Sequence, residues 1–315
     1  VKWGKYCHLI VATVSVMATA NALAYDEPQV NLGFTSFLDA APPAGPGLYF
    51  EQYFSYYNSD HLNDNNGGKL PLPNQKVDVA VSLSQLLYMS PKKFLGGNIG
   101  FTVLLPAILG HSIDDGLNNT VLKGENGVGD VIFGPFLQFG PFVGPNGPTF
   151  SHRFELDVSA PTGAYNHSNA VNPGNNFWWV EPYWAGTYWF TPKLTASVRM
   201  HYLWNSRNND PNVSFGPGVT STQAGQALHA NLAIEYQVTP HLRLGVNGYW
   251  FQQITDTKAN GSDVPGRRER VWAIGPGMMY SFSPEDHLFF NAYFEEGARN
   301  RSQGNRFVAR YVHHF

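Results

Sequence analysis

The strongest constraint in this chain is a period of two that runs from Leu228 to Gln253. Alternate positions read Leu228, Ala230, Leu232, Ile234, Tyr236 and Val238, and the interleaved set reads His229, Asn231, Ala233, Glu235 and Gln237. Side chains alternate faces along a strand, so this is a strand with one apolar and one polar face. Thr239-Pro240-His241 breaks the pattern, which resumes as Leu242, Leu244, Val246 and Trp250 against Arg243, Asn247, Tyr249 and Gln253. Each arm is about ten residues or slightly longer, the length a tilted strand needs to cross a bilayer. The chain repeats this unit. We place strands near 47–57, 75–89, 96–106, 128–140, 150–160, 176–190, 193–205, 226–238, 241–253, 269–283, 286–296 and 305–315. Twelve is an even count, as bacterial single-chain barrels require, so the expected fold is all-β: a transmembrane antiparallel β-barrel of 12 strands over 47–315.

Composition agrees. Of 315 residues, 43% are hydrophobic and 15% aromatic but only 14% charged, against about a quarter charged in soluble domains. A formal net charge of −3 and the lack of a basic run argue against a nucleic-acid partner. Residues 1–24 read as a signal peptide: Lys2 and Lys5, an apolar core from Leu9 to Met17, and Ala22-Leu23-Ala24 as a cleavage signal, with Ala20-Asn21-Ala22 as a second one. The mature chain is then expected to begin near Tyr25. The single cysteine, Cys7, lies in that segment, which excludes disulfides and thiolate metal sites from the mature chain.

The connections alternate in length. Ser90-Pro91-Lys92, Thr191-Pro192-Lys193, Thr239-Pro240-His241, Ser283-Pro284-Glu285 and the Pro/Gly-rich 140–149 are short, while 58–74, 107–127, 162–175, 206–224 and 254–268 are long and polar. Short periplasmic turns and long extracellular loops are the asymmetry of outer-membrane barrels. Phe307, Ala309, Tyr311, His313 and the terminal Phe315 share a face, which resembles the signal read by the barrel-assembly machinery. Lipid and lipopolysaccharide are the expected surroundings.

A Lys or Arg on the lipid face near the midplane costs about 2–4 kcal/mol, so mid-strand charges should point inward. This assigns to the lumen Glu51, Asp78, Asp130, Glu155, Asp157, Glu181, Glu235, Glu295, Arg153, Arg199, Arg243 and Arg310, with His201 and His229 in phase, and Tyr49 and Tyr53 beside Glu51. These groups either pair with one another and stiffen the wall or line the permeation path. Residues 25–46 lack alternation but carry Phe34, Phe37 and Leu38. They are either a frayed periplasmic terminus or an insertion into the lumen, with Glu51, Asp130 and Glu181 as anchors. Pro135, Pro182 and Pro276 fall inside strands, where proline cannot donate to the ladder. They mark bulges, or, at Gly134, Pro135 and Pro182, a lateral seam. Chemistry is poorly signalled: His167-Ser168-Asn169 puts esterase-type residues side by side in one loop, where they rarely meet productively, and no cofactor or metal site is expected.

Several stretches together carry a family resemblance. They are Gly47-Leu48-Tyr49-Phe50-Glu51, the run from Gly127 to Pro135, the run from Ala160 to Tyr165, Phe177-Trp178-Trp179-Val180-Glu181-Pro182, Gly225-Gln226-Ala227-Leu228-His229 and the run from Gly248 to Asp256. Over almost the whole mature chain the sequence resembles the outer-membrane channels associated with the meta-cleavage pathway of phenol degradation. The resemblance implies a monomeric twelve-stranded barrel with its leading segment in the lumen, and uptake of hydrophobic small molecules with a lateral exit. The rivals are a general hydrophilic diffusion pore, a lipid-acting barrel enzyme using Ser168, and a structural barrel without transport.

Overall fold

A computed structural model describes residues 27–28, 30–73, 75–114 and 123–315. The signal peptide at 1–24 and the expected start at Tyr25 lie outside the described residues. Twelve antiparallel strands form one closed sheet. They are Gly47–Leu62 (β1), Lys76–Phe94 (β2), Gly97–Asp114 (β3), Val131–Gly144 (β4), Gly147–Ala160 (β5), Trp179–Trp189 (β6), Leu194–Asn205 (β7), Ala227–Gln237 (β8), Leu242–Gln253 (β9), Arg270–Ser281 (β10), Asp286–Arg299 (β11) and Ser302–His314 (β12). Each pairs with the next, and β1 pairs with β12, Tyr49 facing His314 and Asn58 facing Asn305. Closure joins the first strand to the last, so the sheet has no outer edge strands, which is what a strand protein needs in lipid.

The alternation is inside out relative to a soluble sheet. On β8, Leu228, Leu232, Ile234 and Tyr236 are 39–50% exposed, whereas His229, Asn231 and Glu235 are at most 3% exposed. The same inversion holds around the wall, where Phe54, Leu86, Phe101, Phe154, Met200, Trp250, Trp272, Phe290 and Phe307 all face outward. An apolar exterior around a polar interior places the barrel in a bilayer.

Several turns lie beyond the expected places. Ser90-Pro91-Lys92 is part of β2, absorbed by a register shift between Met89 and Lys93. The hairpin turns instead at Leu95 and Gly96, whose φ values are 50° and 89°, as a two-residue turn matching strand twist requires. Likewise β4 and β5 pair out to Gly144 and Gly147, so 140–149 is mostly ladder. On the far side, β11 and β12 meet across Asn300 and Arg301, with Asn300 at φ 52°.

The three strand prolines each interrupt the ladder on one side only. Pro135 faces Phe101 of β3, but the β4–β5 pairing skips from Phe133 to Phe136. Pro182 faces Leu156 of β5, but the β6–β7 pairing skips from Val180 to Tyr183. Pro276 faces Val246, and the pairing with β11 skips from Ile274 to Gly277. Gly134 is required by close approach, since a Cβ there would lie 1.9 Å from the Leu156 carbonyl oxygen.

Candidate functional site

Residues 30–43 run inside the barrel, and small polar side chains from the wall hold them. Asn231 does most: its Oδ1 accepts from Gly33 N at 2.9 Å, and its Nδ2 reaches Asn31 O, Asn31 Oδ1 and Thr35 Oγ1 at 3.1, 2.9 and 3.0 Å. Glu235 accepts from Leu38 N at 3.1 Å, and Asn291 donates to Ser36 Oγ at 3.1 Å. Arg199 grips Asp39 with two bonds of 2.8 and 2.6 Å. Ala40 is caught on both polar groups, by Thr187 on its N–H and by Gln138 and Ser151 on its carbonyl. At the long-loop end, Asn205 donates to Glu27 at 3.0 Å.

Apolar packing adds to this. Phe37 is 1% exposed and sits among Tyr49, Leu87, Met89, Phe136, Met279 and Phe289. Phe34 meets the Tyr53 ring edge-on at 5.8 Å. Leu38 adopts φ 51°, and Gly33 adopts φ 79° where a Cβ would lie 2.7 Å from Tyr293. The segment is therefore fitted to this wall rather than laid loosely within it.

The three anchors expected from the sequence are engaged elsewhere. Glu51 pairs with Arg310 at 3.0 Å and accepts from Tyr53 at 2.6 Å. Asp130 accepts from Gly163 N at 2.8 Å and Asn175 N at 2.7 Å, so it pins the loop after β5 to the wall. Glu181 faces His201 and His229. The wall groups that do the anchoring are mostly amides and hydroxyls, which a search for charges passes over.

The other charged positions divide by level. Arg153 lies against Gln138 and 3.5 Å from Glu155, which also accepts from Tyr183. Asp157 faces Glu181 across the β5–β6 ladder. Glu295 accepts from Tyr57 and Tyr249 at 2.7 Å each. Asp78 was expected in the lumen, but it is in phase with the outward-facing Leu86 and Tyr88 of β2 and pairs with Lys76 at 2.8 Å near the long-loop end, where a charge need not turn inward. Arg243 bonds Thr195 and Gln237 near the short turns. Outside the membrane, Arg268 donates to Asp256 at 2.8 Å, and this bond holds the Asp256 carboxyl below its usual range.

Beside the inserted segment a cavity of about 150 Å³ remains. One side is charged, with Glu51, Arg153, Glu155, Asp157, Glu181, Arg199 and Arg310. The other is mostly apolar, with Leu83, Leu104, Pro106, Ile108 and Ile132 of the wall, Gln85 and Asp130 among them, and Phe34 and Leu38 of the insert. Among the described residues, this wall is where the ladder between β3 and β4 is short. β3 and β4 pair only between Asn98–Leu104 and Ile132–Gln138. Beyond that, β3 is met by the two-residue strand Gly127–Val128 and by one bond from Gly129 N to the Pro106 carbonyl at 2.8 Å. Neither Gly134, Pro135 nor Pro182 appears in the cavity lining.

Among the described residues no hydrogen bond joins Ser168 to His167. His167 Nδ1 lies 3.6 Å from Asp210, and the Ser168 amide donates to Asn166 at 2.9 Å.

A family model described as the putative MetA-pathway of phenol degradation matches residues 59–311. The chain belongs to this family. Among solved structures it is similar to the COG4313 outer membrane channel from Pseudomonas putida F1, at 20% identity and a TM-score of 0.74, over 91% of this chain and 100% of that one. It is more loosely similar to the translocator domain of the autotransporter NalP from Neisseria meningitidis, at 10% identity and a TM-score of 0.47, over 86% and 89% of the two chains. No curated protein sequence matches. The fold is that of an outer-membrane channel, and this family member is a protein of the bacterial outer membrane.

Proposed function

We propose that this chain is a monomeric, non-enzymatic channel that admits hydrophobic small molecules, aromatic compounds among them, down their gradient across the outer membrane. The observation that carries this reading is the two-sided cavity whose apolar wall coincides with the interrupted β3–β4 ladder. A solute entering from the long-loop side is held between Phe34, Leu38 and the apolar wall, and leaves sideways where Pro106 faces Gly129. We place the exit there rather than at Gly134, Pro135 and Pro182, where the ladder is broken for only two residues on one side. The similar Pseudomonas putida protein is described as an outer membrane channel, which supports the transport class. A general hydrophilic pore fits less well, because residues 30–43 occupy its path.

Ala107 and Val128 are direct partners in register across this seam. A pair of cysteines at these positions, oxidised to a disulfide, is expected to slow uptake of an aromatic hydrocarbon severalfold in whole cells, and a reductant is expected to restore it. Full-rate uptake with the disulfide complete rules out the sideways exit. Loss of uptake without recovery under reductant would point to a damaged barrel rather than a closed one.

A further inference from the structure

Three buried side chains on adjacent strands meet at one level of the wall, and the inserted segment uses none of them. Glu181 is on β6, His201 on β7 and His229 on β8. His201 Nδ1 lies 2.6 Å from Glu181 Oε1, and His229 Nε2 lies 3.2 Å from Glu181 Oε2. Their side chains are 4%, 1% and 0% exposed. The two rings stack with centroids 4.1 Å apart, as partners directly opposite in the β7–β8 ladder.

A second carboxyl group stands beside this triad. Asp157 stands directly opposite Glu181 on β5, and its Oδ1 is buried without a hydrogen-bond partner. The neighbouring guanidiniums are already engaged, Arg153 by Glu155 and Arg199 by Asp39. Two carboxylates therefore share a buried site with two imidazoles.

We propose that Glu181, His201 and His229 bind one divalent transition-metal cation of the zinc class. Two imidazole nitrogens and a carboxylate oxygen are a donor set that such ions favour. Bonds of about 2.0–2.2 Å around a tetrahedral ion set donors roughly 3.3 Å apart, and here the three donor atoms lie within 4.8 Å of one another. Binding requires the imidazoles to turn out of their parallel stack so that both lone pairs converge. Glu181 and Asp157 line the lumen cavity, which gives the ion its way in. The ion would tie β6, β7 and β8 together at the level where Pro182 leaves the β6–β7 ladder unpaired. This site departs from the expectation of no metal, and it stands whether or not the channel carries hydrophobic solutes.

The test uses the full protein extracted from outer membranes in detergent and stripped with a chelator. Zn²⁺ is then titrated, and Co²⁺ separately for its ligand-field spectrum. The expected result is one equivalent bound and a higher thermal unfolding midpoint. A His201→Gln/His229→Gln double variant, verified as folded by its heat-dependent gel shift, should lose at least about tenfold in affinity. A His313→Gln/His314→Gln variant should bind as the wild type does. Equal binding by wild type and the His201/His229 variant overturns the site, as does loss of binding in the His313/His314 variant. If the double variant does not fold, Glu181→Gln serves instead: weakened Zn²⁺ binding with a shifted Co²⁺ spectrum supports the site, and unchanged affinity overturns it.

Discussion

Asn231 makes four of the hydrogen bonds that hold the inserted segment, to residues about two hundred positions earlier in the chain. Replacing it with alanine strands the Gly33 amide in a buried site, which costs about 1–3 kcal/mol for an unsatisfied donor. Asn231→Ala should therefore loosen the segment while leaving the wall intact. The check is single-channel recording in planar bilayers: larger or noisier openings than wild type are expected, with an unchanged heat-dependent gel shift. Arg199 belongs to the same group, because its fork holds both oxygens of Asp39. Arg199→Lys keeps the charge but loses the paired geometry, so it should raise conductance less than Arg199→Ala does. Inward phase alone made Arg199 and Glu235 candidates. It did not separate them from Glu51 and Asp130, because partners are set by level in the barrel and alternation says nothing about level.

At the scale of the strand, the alternation of β8 and β9 is the clearest case of local sequence setting local structure. Leu232 sits at the centre of β8 on the lipid face and is 49% exposed. Leu232→Arg is expected to lower barrel stability by about 2–4 kcal/mol, and Leu228→Arg, nearer the end of the strand, by less. Reversible urea unfolding into lipid bilayers measures both, and equal costs at the two positions would contradict the membrane placement. Turn positions were less legible. Ser-Pro-Lys in β2 reads as a turn, yet the ladder carries on to Phe94 by shifting register, and the reversal falls at Leu95-Gly96. Leucine rarely adopts φ near 50°, so no residue preference announced it.

At the scale of the whole molecule, the lumen is filled by a segment that precedes the first strand. Deleting residues 27–43 removes Phe37 from its buried setting and frees the wall amides to water. We expect conductance of small ions to rise severalfold, and uptake of an aromatic hydrocarbon to lose its preference over a sugar of similar size. Planar-bilayer recording and radiolabelled uptake measure the two effects. Unchanged conductance would show that the segment does not limit the path. Ser168→Ala should leave both transport and any lipid hydrolysis background as in the wild type, since among the described residues no hydrogen bond joins Ser168 to His167.

The period of two, the absence of a second long apolar run and the rhythm of turns determine by themselves an antiparallel membrane barrel, its strand number and the inward face of the mid-strand charges, though not of Asp78 near a strand end. Those properties follow from local chemistry: a side chain's face is set by its place in the strand, and lipid rejects charge. Only the tertiary structure decides which inward groups meet. β7 and β8 are joined by a long loop, so the register that puts His201 opposite His229 is not written in a short turn. The same holds for Gly33 and Asn231, which are 198 residues apart in the chain. It holds too for the thin stretch of wall at Pro106, where a two-residue strand takes the place of a full partner. Closing the sheet sets these registers, and with them the lumen that the segment fills, the cavity it leaves and the triad beside it.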